Sequence, residues 1–360
     1  MRPGATKDGR ATLATVAAAA GVSVATVSKV LNGRSDVASA TRGLIQELLE
    51  RYEYAGRPGD SVRRAAPTVR PSVELVYAGD LNAYSTEVLQ GVLDAGAELG
   101  VAVVVSLRTP AHRRSDMARP AAWAGELAAA GRRAVIAVVD DLTSADLAAL
   151  SRARLPLVVI DPVNLPHVDV TSVGSTNFAG GAAATRHLLA LGHRRIAYVG
   201  GPPTSACNQA RMHGYRAAME AAGEQVPPDY VRFGNFRHED GLVNGAALLD
   251  LPAPPTAVFA GSDESAVGVV EAARARGLRV PEDLSVVGFD DTQIARLASP
   301  ALTTVRQPLQ ELGKVALRTA IHLADDGEAD SHHVELATEL VVRQSTARAP
   351  SSPATSDEPQ

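Results

Sequence analysis

The sequence predicts an all-α helix-turn-helix head joined to an α/β body of two doubly wound parallel-sheet subdomains. Three observations predict it. Two short helical patterns separated by a glycine open the chain, β-rich and helical runs alternate from Pro71 onward, and charge divides between the two parts. Residues 1–64 hold ten Lys or Arg against six Asp or Glu, a balance of +4, and the remaining 296 residues carry −9. A basic head on an acidic body suits a head that meets a polyanion.

At 360 residues and 37.4 kDa the chain is long enough for two or three domains, each with its own core. Its single cysteine, Cys207, excludes an internal disulfide framework and points to a reducing compartment. No apolar run reaches the ~18 residues that span a bilayer. The basic start and the run "AAAAGVSVATVSKVLNG" are also ingredients of an export leader. Ser23, Thr26, Ser28 and Lys29 interrupt that run, and Ala and Thr stand where a leader carries Leu, so a cytoplasmic protein is expected.

The head is expected over residues 11–56, after a disordered stretch at 1–10. Leu13, Val16, Ala17 and Ala20 share one face of a first helix, and Gly21 stands where a left-handed residue stops it. Ser23 is a good N-cap for a second helix, in which Val27, Val30 and Leu31 point inward and Val24, Ala25, Ser28 and Lys29 outward. Ser39 or Thr41 caps a third helix, with Leu44, Ile45, Leu48, Leu49 and Tyr52 inward. Two helices joined by a tight glycine turn and braced by a third make a helix-turn-helix unit. Its second helix presents short side chains and one cation, which suits the floor of a major groove. There Lys29 would reach guanine and Val24 and Ala25 thymine methyls, while Ser23, Thr26, Ser28 and Thr41 would meet phosphates. A small helical cap with no ligand fits the same spacing.

The phrases "TLATVAAAAGVSVATVSKVLNG" and "VASATRGLIQELLERYEYAG" resemble the DNA-binding domain of the LacI/GalR family of bacterial transcription regulators. The resemblance implies that Val24, Ala25 and Lys29 read bases, and Asn32, Tyr54 and Arg57 complete the expected DNA-binding set, Arg57 with Arg63 and Arg64 as cations for phosphate or a narrow minor groove. Just downstream the match weakens. Where the family carries a Tyr-x-Pro-Asn-x-x-Ala-x-x-Leu hinge, Tyr54 is kept but Gly56, Arg57, Asp60 and Arg63 replace the Pro, Asn, Ala and Leu. Residues 57–71 therefore read as a basic linker, without the Leu wedge that opens a minor groove.

In the body, "VELVY", "VAVVV", "AVIAVV" and "LPLVVID" read as buried parallel strands of a first sheet. The pattern restarts with "VTSVG", "RIAYVGG", "YVRFG", "TAVFAG" and "LSVVGF". Two open sheets place a ligand at the carboxyl ends of their strands. Expected boundaries are 72–347 for the body, with 72–165 plus 302–328 in one subdomain and 166–301 plus 329–347 in the other. A disordered tail at 348–360 follows.

The phrases "GGAAATRHLLALGHRRIAYVGG", "AVFAGSDESAVGVVEAARARGLRVPEDLSVVGFDD" and "LTTVRQP" resemble the same family's effector domain, which shares the periplasmic sugar-binding-protein fold. Asp161, Phe236, Ser262 and Asp290 stand at or just after strand ends, and Arg211 lies on a helix. Carboxylates accept sugar hydroxyls, a guanidinium donates in a planar fork, and Phe covers the apolar face of a ring. The resemblance implies ligand contacts at all five positions, often with Asn where this chain has Ser262. Tyr77, Tyr84 and Ser175 are further candidates. Turn-capping for the aspartates and Ser262, an ion pair for Arg211 and a core place for Phe236 are the plainer readings.

Enzyme chemistry and cofactors find no support. Asp290 and Asp291 are sequence neighbours whose side chains point apart, and Asp161, His167 and Asp169 lack metal-site spacing. "YVGGPPTSA" is not a phosphate loop, and no G-x-G-x-x-G opens a helix. The expectation is a homodimeric repressor that binds operator DNA, is controlled by a mono- or oligosaccharide effector, and has no membrane partner. The competing readings are a sugar-binding transport component with an unusual leader, and an activator or corepressor-dependent regulator of the same family.

Overall fold

The computed structural model describes residues 12–31, 37–52, 54, 70–79, 81–108, 119–138, 142–162, 170–329 and 331–350. The chain divides into two units, residues 1–69 and 70–360. Residues 1–10, Asn32, Arg57 and the rest of the expected linker up to residue 69 lie outside the described residues, as do His167, Asp169 and residues 351–360.

The first unit contains α1 (Leu13–Ala20), α2 (Val24–Leu31) and α3 (Ser39–Arg51). Thr12 and Thr15 form a capping box at the start of α1, and Gly21, at φ 66°, closes it in the left-handed conformation that glycine adopts without a Cβ penalty. Ser23 Oγ then accepts the Thr26 amide at 3.1 Å and starts α2, bent 106° from α1. Val16, Ala17, Val27, Val30, Ile45 and Leu48 form the core. Three expected inward residues are exposed instead: Leu31 at 43%, Leu44 at 44% and Tyr52 at 40%. Three short helices enclose one narrow core, and the flanks of the apolar stripes lie beyond its reach. α3 begins at Ser39 and the Ala38 carbonyl accepts the Arg42 amide, so both Ser39 and Thr41 lie inside its first turn rather than at the cap.

The second unit holds two six-stranded sheets. The first orders β11 (His333–Leu336), β5 (Thr171–Ser175), β4 (Leu157–Ile160), β3 (Arg132–Val138), β1 (Ser72–Ala78) and β2 (Ala102–Arg108). The second orders β12 (Glu339–Val341), β10 (Thr303–Arg306), β9 (Ser285–Asp290), β8 (Ala257–Ala260), β6 (Ile196–Gly200) and β7 (Val231–Phe233). All pairings are parallel except β10 with β12.

Helices cover both faces of each sheet, so the strands are apolar on both sides. α4 (Ala83–Leu99) and α12 (Leu309–Ala324) cover one face of the first, α5 (Pro120–Ala129) and α6 (Ser144–Arg152) the other. Around the second sheet, α7 (Asn177–Ala190) and α8 (Ala206–Ala221) oppose α9 (His238–Leu249) and α10 (Asp263–Ala275). The short α11 (Gln293–Leu297) follows β9.

Three of these helix pairs share one packing device. A Cβ on Gly91 of α4 would fall on the Gln310 carbonyl of α12, and one on Gly313 of α12 would meet the Val88 carbonyl of α4. Gly181 of α7 meets the Arg211 carbonyl of α8, and Gly214 the Phe178 carbonyl in return. Gly241 of α9 and Gly268 of α10 face the carbonyls of Ser265 and His238. In each pair the backbones touch.

The subdomain boundaries differ from those expected. "VTSVG" is β5 and pairs with β4, so it completes the first sheet rather than starting the second. β10 belongs to the second sheet and β11 to the first. The chain therefore crosses between subdomains three times, near Thr176, at Gln307–Pro308, and between β11 and β12. Thr176 and Thr338 join two crossings, with Thr338 N donating to Thr176 Oγ1 at 3.0 Å. The carboxyl-terminal segment is also more ordered than expected: Ala349 N donates to Leu191 O at 2.9 Å.

Candidate functional site

In the first unit, α2 separates its faces cleanly. Val27 and Val30 are buried, while Ser23, Val24, Ala25 and Lys29 are exposed, Val24 at 45%. Thr26 and Ser28 are half-buried, as are Thr41 in α3 and Tyr54 just after it. Lys29 stands in the last turn of α2. Small residues, Val24 and one cation, with Leu31 at the end, thus make up the exposed side of a short helix, a surface that admits close approach of a polyanion's groove.

In the second unit, the carboxyl ends of both sheets face one cavity of about 200 Å³. Asp161, Arg211, Phe236, Ser262 and Asp290 all line it, together with Tyr77 and Tyr84. Ser175 is not among its lining residues. Asp161 follows β4, Asp290 ends β9, and Ser262 follows β8. Three of the five adopt left-handed backbone conformations: Asp161 at φ 44°, Phe236 at 64° and Asp290 at 112°. Such strain in non-glycine residues concentrates where function holds a side chain in place.

Arg211 organises the polar wall. It is 3% exposed. Its Nε donates to Asn177 Oδ1 at 2.8 Å and its Nη1 to Gly261 O at 2.6 Å, with Asp290 Oδ1 3.7 Å from Nη1. The guanidinium lies 3.8 Å from the Phe289 ring centre and 5.4 Å from that of Phe236, so two aromatic faces hold its plane. Gln307 Nε2 donates to Asp290 Oδ1 at 2.7 Å, while Gln307 Oε1 is buried without a partner. Across the cavity, Tyr84 Oη donates to Asp161 Oδ2 at 2.5 Å.

Burial pushes the carboxyls of Asp161 and Asp290 above the usual carboxylate range, against the pull of Tyr84, Gln307 and Arg211. It also pushes up the thiol of Cys207, another lining residue. Ser262 lines the cavity and also has a structural part. Its Oγ accepts the Ser265 amide at 3.1 Å and donates to Phe236 O at 2.7 Å, capping α10 and fixing the loop that carries Phe236.

Asp291 faces the crossings. Its carboxylate receives Arg306 Nε at 2.7 Å and Arg343 Nη2 at 2.6 Å, the first from the end of β10 and the second from just after β12. The two adjacent aspartates therefore divide their roles, Asp290 toward the cavity and Asp291 toward the crossing strands.

Sequence reasoning missed Asn82, Asn235, Arg237, Glu264 and Thr292, all lining residues. Asn82 caps α4 and Glu264 sits in the first turn of α10, so a search for helix starts facing the strand ends would have found both.

Residues 12–56 match the family model described as bacterial regulatory proteins, lacI family, and residues 185–346 match that of the periplasmic binding protein-like domain. The chain is 33% identical over 341 residues to the HTH-type transcriptional regulator CelR of Thermobifida fusca, spanning 93% of this chain and 98% of that protein. It superposes on a structure described as a transcriptional regulator CelR-cellobiose complex with a TM-score of 0.70, 31% identity, and 93% and 100% of the two chains covered. The lac repressor dimer bound to operator and the anti-inducer ONPF matches with a TM-score of 0.73 and 26% identity over 94% and 99% of the two chains. These relatives are transcription regulators rather than enzymes. Among the described residues no single helix is long and apolar enough to cross a membrane. With both units matched and a 33% identical regulator aligned over nearly its full length, the chain belongs to the lacI family of bacterial regulatory proteins and is a DNA-binding transcription regulator.

Proposed function

We propose that this regulator is a cytoplasmic repressor that binds a near-palindromic operator as a homodimer and releases or tightens on it when a sugar enters the cleft. One observation carries the reading. The same chain holds a helix with a small-residue, cationic exposed face and, in its second unit, a cavity walled by carboxylates, a clamped guanidinium and an aromatic ring. The wall chemistry is that of a polyol site, since carboxylates accept hydroxyl protons while Arg donates and Phe stacks.

A sugar contacting both subdomains would favour one closure state of the cleft, and in a dimer that state sets how two heads fit successive half-sites. Paired heads gain affinity by acting together. Ser23, Thr26, Ser28, Thr41 and Tyr54 would position the head on phosphates, and Val24, Ala25 and Lys29 would read bases. Asp161, Arg211, Phe236 and Asp290 would contact the effector, with Ser262 supporting Phe236. The domain limits proposed are those of the strand pairings: the first subdomain takes β1 to β5, α12 and β11, and the second takes α7 to β10 and β12.

The deciding experiment combines operator selection from a randomised pool with titration of the complex by mono- and oligosaccharides, and a reporter in a deletion strain gives the sign of regulation. A protein that selects no operator, or whose operator affinity no sugar alters, contradicts the proposal. Lys29→Ala is expected to relax base preference at one operator position by ~1–3 kcal/mol. Uniform weakening on all sequences would remove Lys29 from base reading.

A further inference from the structure

The charge on the cavity wall restricts the effector further. Among the described lining residues Asp161, Glu264 and Asp290 are acidic, and Arg211 and Arg237 are basic. Asp161 and Asp290 are only 4% and 6% exposed. Arg211 already gives Nε to Asn177 and Nη1 to Gly261 O. Asp290 Oδ1 takes the Gln307 amide, and no described residue hydrogen-bonds its Oδ2.

Helix ends offer an anion little more. Five helices start at the cavity, with Asn82, Ser205, Arg237, Ser262 and Thr292 as their caps. α9 carries Glu239 and Asp240 in its first turn, and at α11 the Thr292 amide donates to Asp263 Oδ2 at 2.8 Å. At α4, Asn82 accepts the Ser85 amide and Glu264 Oε1 accepts the Ala83 amide at 3.4 Å. At α10, Asp263 and Glu264 occupy the first turn. Both positive ends already face carboxyl or amide oxygens. The start of α8 carries no acidic residue, but a helix end amounts to about half a charge and does not offset two buried carboxylates.

We infer that the cleft selects an uncharged polyhydroxyl effector and rejects the phosphorylated or carboxylated form of the same sugar, an inference that rests on the sugar reading above. A neutral hydroxyl can donate to Asp290 Oδ2 and leave the wall's charge unchanged. A phosphate must leave water for a wall with three carboxyl groups and two guanidiniums, of which Arg211 already donates to Asn177 and Gly261 O, so it loses hydration for few new donors. The reaction class that supplies such an effector is glycoside hydrolysis or unmodified import, and phosphoryl transfer onto the sugar would remove the signal.

The test uses the full chain with matched pairs, glucose with glucose 6-phosphate and cellobiose with cellobiose 6-phosphate, and with inorganic phosphate alone. Binding is read by calorimetry and by the shift in Tm. The unphosphorylated member of a pair is expected to bind at least about tenfold more tightly, and Glu264→Gln to narrow that gap, because it removes one wall charge. A phosphorylated sugar that binds as tightly as its parent overturns the inference. If no sugar binds, the sugar reading fails, and inorganic phosphate still decides the charge question. An unchanged wild-type Tm supports rejection of anions, whereas a rise that Arg237→Gln removes overturns it.

Discussion

Arg211→Ala is expected to abolish the response to effector and to destabilise the body by about 3–5 kcal/mol, while the head keeps its operator preference. The magnitude follows from what the guanidinium leaves behind. Asn177 Oδ1 and Gly261 O lose buried donors, and Asp290 loses its nearest cation while 6% exposed. Truncation also opens space against Phe236 and Phe289, whose faces hold the group. Lysine is a poor replacement, since an ammonium cannot present two directed donors at the geometry of the planar fork. Urea unfolding measures the stability, and operator titration in the presence of sugar measures the response. A variant that responds with an unchanged midpoint would place the effector elsewhere.

Gly91→Val is expected to cost about 1–3 kcal/mol or more, through overpacking rather than lost contacts. The new Cβ would coincide with the Gln310 carbonyl, which is backbone and cannot swing aside. α4 and α12 must then separate, opening the layer formed by Val88, Val92, Leu312 and Ala316. Gly125, exposed in α5 with nothing within 4 Å of a built Cβ, is the control. There Gly125→Ala is expected to stabilise by roughly 0.5–1 kcal/mol, since alanine favours the helix more than glycine does. Paired thermal and urea melts of the two variants should move in opposite directions.

Much of this architecture was legible because local signals and tertiary packing agree. Gly21 and Ser23 stop and restart a helix by their own chemistry, and no distant contact is needed to read them. Leu31, Leu44 and Tyr52 were misread because periodicity gives direction but not how far a small core extends. The assignment of "VTSVG" failed for a related reason. A parallel strand buried on both faces is an apolar run wherever it lies, so neighbours must be inferred from connection length, which a crossing chain defeats. The five proposed effector residues meet at one cavity because strand ends are visible in sequence and doubly wound sheets gather them. Arg237, Glu264 and Thr292 escaped because they enter from loops and helix starts, where polar residues carry no periodic signal. Residue type alone did not show that the Ser262 hydroxyl also holds the loop carrying Phe236.

The glycine-to-carbonyl contacts within the three helix pairs have a mechanical consequence. Side-chain layers between helices yield, because rotamers can readjust and absorb small displacements. Backbone seated on backbone has no such compliance. With one pair in the first subdomain and two in the second, each half of the body is stiff along the helices that carry Arg211 and frame the cavity. Closure of the cleft by a ligand would then appear as rotation at the three crossing segments, one of them next to Arg306, which with Arg343 grips Asp291.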